Sequence, residues 1–186
     1  MNCNDAGPKR FDIERYAGKW YEVMRLPIVW QTDCKGATAE YGAIPGTNSI
    51  SVNNTCLGEN GEEIRTRLGR ADYVREDEEY IFPVEFKISF DETAEGTQIP
   101  AFIKDLNVGT DQPYWIEYTD YDNFAVVGGP TRQYVWLLSR EPQVSMKDVK
   151  RYSYWLKRMG YDSSKFILWG DRLSMTDYIN NVLINI

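Results

Sequence analysis

Between residues 79 and 90 the chain reads EYIFPVEFKISF, and from Val84 onward every second side chain is large and apolar. Val84, Phe86, Ile88 and Phe90 share one face of an extended strand, and Glu85, Lys87 and Ser89 share the other. A period of two over that length fits a strand with one buried and one solvated face, and no amphipathic helix. The pattern recurs at 19–27, 36–44, 49–57, 63–74, 113–119, 123–129 and 133–139, with turn sequences such as PGTN and GENGE between the runs. With 79–90 this makes eight strands, the last two joined by the short PTR connection of a hairpin. The expected fold is all-β: an eight-stranded antiparallel up-and-down β-barrel. Closure removes exposed strand edges, and a barrel of that size is wide enough to hold one small ligand.

One segment breaks the alternation. In SMKDVKRYSYWLKRMG, Ser145 stands as N-cap with Asp148 three residues on and Gly160 as the stop, which predicts one C-terminal α-helix over about 145–159. Val149, Tyr152, Leu156 and Met159 recur at helical spacing, so that stripe is expected to pack on the outside of the barrel. SKFILW (164–169) is a candidate for one more short strand. The expected organisation is a flexible tail over 1–10, one barrel domain with its helix over 11–170, and a C-terminal extension over 171–186.

Composition removes several function classes. The 186 residues include no histidine, which excludes His-based acid–base and nucleophile systems and the usual zinc sites. A net charge of −7 argues against nucleic acid as a partner. No run approaches the roughly 18 apolar residues of a membrane helix. The 13 Tyr, 7 Phe and 6 Trp suit strands or a ring-lined pocket.

Three stretches carry a family resemblance. Gly18-Lys19-Trp20-Tyr21-Glu22, preceded by FDIERY, resembles the first signature of the lipocalins; Thr119-Asp120-Tyr121 resembles the second, and Arg140, ending YVWLLSR, the third. Finer features, FDIERYAGKWYEV, GGPTRQYVWLLSREP and GYDSSKFILW, resemble the subgroup of apolipoprotein D and the bacterial outer-membrane lipocalins, over about residues 11–169. The resemblance implies a cup sealed at one end. Gly18 would let the backbone enter the first strand past a turn over 12–17, where a Cβ would crowd it. Trp20 would plug the floor, with the Arg140 guanidinium on its indole and donating to carbonyls of the turn. These signature residues are therefore structural, and the function lies above them.

Counting by twos from Trp20 sends Glu22, Met24 and Leu26 inward, and the same rule points Ala39, Tyr41, Val52, Asn54, Phe86, Ile88 and Phe90 into the cup. Tyr114, Ile116 and Tyr118 follow if Glu117 faces water, and Tyr134, Trp136 and Leu138 line the last strand. The family resemblance also places Trp136 in the pocket. The candidate ligand contacts are Met24, Tyr41, Asn54, Phe86, Ile88, Tyr114, Ile116, Tyr134 and Trp136. The alternative is a barrel filled by its own side chains. In the fourth strand, Arg65 and Arg67 face inward if Gly69 and Ala71 do, where they could hold a carboxylate or phosphate; the favoured alternative sets them on a solvated outer face. The stretch 91–112 is long for a hairpin loop and sits at the open rim, where Ile99, Phe102, Ile103 and Leu106 would form a flap or fold down without a role.

Cys34 precedes the second strand and Cys56 ends the third, two adjacent antiparallel strands, so a Cys34–Cys56 disulfide at the open rim is expected. Related bacterial sequences often carry a cysteine pair hereabouts. Such a bridge implies a secreted, periplasmic or membrane-anchored protein on the oxidising side. Cys3 is either a lipid-attachment site, giving peripheral membrane association, or a leftover thiol on the tail. The expected function is non-catalytic binding, transport or storage of a small hydrophobic ligand such as a fatty acid or lysophospholipid, with no cofactor and no metal. Two alternatives stay open. One is a lipocalin-type isomerase or redox enzyme, for which Glu22 is the one candidate base; the other is an interaction protein that works through its surface around an empty cup.

Overall fold

The computed structural model describes residues 11–74, 82–91 and 112–169. The tail with Cys3, the apolar residues of the 91–112 loop and the extension over 171–186 lie outside the described residues. A short helix α1 (Ile13–Tyr16) leads into β1 (Gly18–Arg25), and β2 (Gly36–Ala43), β3 (Ser49–Leu57), β4 (Glu63–Tyr73) and β5 (Val84–Phe90) follow. Then come β6 (Gln112–Thr119), β7 (Phe124–Gly128), β8 (Val135–Ser139), helix α2 (Met146–Arg158) and the two-residue β9 (Ile167–Leu168). Each of the first seven strands pairs antiparallel with the next, and β1 joins both β2 and β8, which closes the barrel. β2 pairs with β1 only over Gly18–Tyr21, and β9 takes the vacated edge at Met24 and Arg25.

The apolar residues divide into two cores. Inside the barrel, Trp20, Tyr16, Tyr41, Ile50, Phe86, Ile116 and Val127 pack together. Outside it, Val149, Tyr152 and Leu156 of α2 cover Val23, Val126, Val135 and Leu137. The Ser145 hydroxyl accepts from the Asp148 N–H at the start of α2, and Gly160 with φ +94° lets the chain turn away at its end. Burying those three side chains of α2 stabilises its docking by roughly 1.5–3 kcal/mol each as an upper estimate.

Two β-bulges correct the period-two count. The β1–β8 register shifts between Glu22 and Met24, so Val23 and Met24 both face outward and Arg25 turns into the barrel. Met24, expected in the cup, instead lies under α2, where Ser153 Oγ donates to its sulfur at 3.4 Å. Leu26 follows it into the outer core. A second shift falls between Ile116 and Tyr118. It turns Tyr118 outward against Tyr152 and Trp155, with ring centroids 6.3 and 5.9 Å apart. Glu117 does not face water: it is buried, accepting from Tyr161 Oη at 2.9 Å and Arg132 Nη1 at 2.8 Å. An extra residue in one strand resets the alternation, and nothing in an apolar run such as Val23-Met24 marks where.

Candidate functional site

The closed end is built on backbone carbonyls. Trp20 is fully buried, its indole N–H donating to the Tyr16 carbonyl at 2.9 Å. The Arg140 guanidinium lies 3.7 Å from the indole centroid and donates to the carbonyls of Arg15, Tyr16, Lys19 and Tyr121 at 2.7–3.1 Å. Gly18 has φ +97°, and a Cβ there would stand 3.2 Å from Arg140 Nη1. Thr119 Oγ1 donates to the Phe124 carbonyl and accepts from the Tyr121 N–H, while Asp120 Oδ1 accepts from the N–H groups of Asn123 and Phe124. The second signature thus ties the β6–β7 turn at the same end.

Above this floor Tyr114 Oη donates to Tyr41 Oη at 2.8 Å and lies 3.0 Å from Tyr16 Oη. All three rings are buried. Burial pushes the Tyr41 phenol up to about 12 and raises Tyr16 and Tyr114 well above the ordinary tyrosine value. The three hydroxyls are therefore neutral across the physiological range and act as hydrogen-bonding groups.

A largely apolar cavity of about 130 Å³ opens above them. Six of the sequence-derived candidates line it: Tyr41, Asn54, Ile88, Tyr114, Tyr134 and Trp136. Phe86 and Ile116 point inward too, but belong to the packed core beneath. One wall carries a buried polar network. Glu22 Oε1 accepts from the Trp169 indole at 2.6 Å and lies 3.2 Å from Arg25 Nε, while Oε2 accepts from Gln31 Nε2 at 3.0 Å. Trp136 in turn donates to Gln31 Oε1 at 2.9 Å, and Arg25 Nη2 to the Gln31 carbonyl at 2.7 Å. Burial lowers the Arg25 pKa and the Glu22 carboxylate opposes that shift. Gln31 sits in the 3-10 turn Val29–Gln31 of the first rim loop, so this network joins rim, wall and the end of β9.

The favoured expectation for β4 fails. Its register with β3 runs without a shift from Ser49–Asp72 to Cys56–Arg65, so Gly69 is no bulge and Arg65 and Arg67 both face the cup. Gly69 meets a different demand: a Cβ there would stand 2.6 Å from the Ser89 carbonyl. Arg65 grips Asp33 through two bonds of 2.7 and 2.8 Å and donates to the Trp30 carbonyl at 2.9 Å. That contact holds the Asp33 carboxyl below its ordinary range. Beside it a disulfide joins Cys34 to Cys56. Asp33 and the two sulfurs lie within 4.8 Å of one another, but with the sulfurs bonded and the carboxylate held by Arg65 the group is no metal centre. Gln31 was missed from sequence because a loop residue has no periodicity to follow.

The lipocalin-like domain family model matches residues 11–170. The chain is 28% identical over 157 residues to the outer membrane lipoprotein Blc of Vibrio cholerae, covering 84% of this chain and 81% of that one. It is 24% identical over 179 residues to rat apolipoprotein D, covering 92% and 82%. Insecticyanin from the tobacco hornworm Manduca sexta shares the fold with a TM-score of 0.57 at 22% identity, covering 95% of this chain and 88% of that one.

Proposed function

Because the chain belongs to the lipocalin family, whose members generally bind small hydrophobic ligands, we propose that it is a non-catalytic carrier or store of a single-chain lipid such as a fatty acid or lysophospholipid. The observation that carries this reading is the cavity itself: apolar, walled by Trp136, Tyr134 and Ile88, and sealed below by Trp20. Burying about ten methylenes at roughly 0.8 kcal/mol each contributes about 8 kcal/mol before the cost of association is subtracted. A binder is favoured over an enzyme because the chain has no histidine, both rim cysteines are bonded, and Glu22 is engaged by Arg25, Gln31 and Trp169. The disulfide and the likeness to an outer membrane lipoprotein favour an oxidising compartment. Native mass spectrometry of gently purified protein tests the reading. A co-purifying species of single-chain lipid mass is the expected result, and a bare chain that takes up no added fatty acid or lysophospholipid contradicts it.

A further inference from the structure

The exposed residues of helix α2 are Lys147, Lys150, Arg151, Tyr154, Lys157 and Arg158. Their spacing of three and four sets them in one stripe, opposite the face that Val149, Tyr152 and Leu156 bury on the barrel. The stripe runs for about 16 Å and holds five cations and no carboxylate. Asp148, the one acid of the helix, is taken up locally: the Ser145 hydroxyl donates to it at 2.6 Å, and Arg151 pairs with it at 3.3 Å. A solvated helix face ordinarily mixes signs, because acid–base pairs three and four apart stabilise it. Here Lys147 stands three residues before Lys150 and four before Arg151, so like charges adjoin. Lys147 also lies in the first turn, two residues past the Ser145 cap, where the helix dipole disfavours a cation. Both placements oppose helix stability. The chain carries −7 overall, so the cluster is no by-product of a basic composition. Tyr154, in the middle of the stripe, is 64% exposed.

A cluster of four to eight Lys and Arg on a helix face suits an anionic bilayer, where each cation contributes within a Debye length of the headgroups, about 8–10 Å. Acidic groups farther off than that are screened, so the net charge does not decide which face can approach an anionic plane. Tyrosine is a residue of membrane–water interfaces, its ring at headgroup level. The apolar face of α2 is already buried on Val23, Val126, Val135 and Leu137. The helix can therefore lie on a bilayer, but it cannot sink in as a free amphipathic helix does. A nucleic-acid duplex fits less well: its binders are basic as whole domains, and this chain has a pI of about 4.8. We propose that the outer stripe of α2 is a docking surface for an anionic lipid bilayer, held by charge. This surface is separate from the cup and does not depend on what the cup holds.

The test is co-sedimentation of the full chain with vesicles of phosphatidylcholine alone and of phosphatidylcholine mixed with phosphatidylglycerol. Binding is expected to the mixed vesicles only, at about 0.1 M salt, and to be lost at about 1 M. Lys150→Gln with Lys157→Gln should weaken that binding at least about tenfold. Lys35→Gln with Lys87→Gln removes the same charge from exposed sites elsewhere on the barrel, and should change it less than about twofold. All four side chains are exposed, so both pairs are expected to fold, which circular dichroism checks. No binding to the mixed vesicles, equal binding to both kinds, or an equal loss in the two pairs overturns the proposal. Binding to a DNA duplex as tight as to the mixed vesicles also overturns it, in favour of a general polyanion site. Co-sedimentation reads the outer surface, so failure here leaves the lipid-carrier reading to its own test.

Discussion

The two ends of the barrel are held by different mixtures of bond. At the floor, the four Arg140 contacts and the Trp20 indole contact end on main-chain carbonyls, and Asp120 accepts from main-chain N–H groups. Main-chain groups neither titrate nor swing, so the floor is fixed once the strands have paired. At the mouth, main-chain ties from Arg65 to the Trp30 carbonyl and Arg25 to the Gln31 carbonyl are joined by ties between side chains: Arg65 to Asp33, Gln31 to Glu22, Trp136 to Gln31, with one disulfide beside them. Side-chain ties respond to substitution, redox state and pH, and several of their members also line the cavity. The family signatures therefore report how the cup is closed; what it holds is written in residues outside them.

That contrast can be broken at either end. Trp20→Ala removes the largest fully buried ring, and the expected loss is about 3–5 kcal/mol of unfolding free energy in a urea titration. An unaltered midpoint would mean the floor is not what Trp20 supports. At the mouth, Cys56→Ser or reduction opens a covalent loop between residues 22 apart in sequence. The chain-entropy view of such a loop gives a loss of about 3 kcal/mol. Non-reducing peptide mapping should recover a Cys34–Cys56 peptide from oxidised protein, and recovery of both as free thiols would remove this clasp from the account. The smallest effect belongs to Asp33→Asn. Because Arg65 lowers the folded-state pKa of Asp33, the pair contributes above the unfolded value of about 4 and fades as pH falls through the lowered one. Asp33 is 55% exposed, so the loss at neutral pH should be under about 1 kcal/mol. A loss of the same size in strong acid would show that the ion pair is not its cause.

Most of the strands were legible from a buried face and a period of two, as Val84–Phe90 shows most cleanly, whereas Phe124–Gly128 is buried along its whole length. The helix was legible from its cap, stripe and stop. Met24 and Tyr118 were misplaced for a common reason. A bulge follows from how neighbouring strands twist and pair, and the sequence on either side of Val23 or Glu117 alternates no differently. Arg65 and Arg67 were set outside because hydrophobic patterning assumes that charge seeks water. That assumption fails where a cavity keeps the charge, and Ile64 and Leu68 on the opposite face were the available sign. Phe86 and Ile116 were given the right face but the wrong height, since alternation orients a side chain without saying how deep a cavity reaches.

Under the proposed function, ligand is held by the upper wall and not by the floor. Trp136 lines the cavity and Trp20 lies in the core beneath it. The direct measurement is a fluorescence titration of delipidated protein with a long-chain fatty acid or lysophospholipid, comparing the unaltered chain with Trp136→Phe. The account predicts a saturable change in the unaltered chain and loss of most of it in the variant. No saturable response to any such lipid, or an undiminished signal from Trp136→Phe, would contradict it.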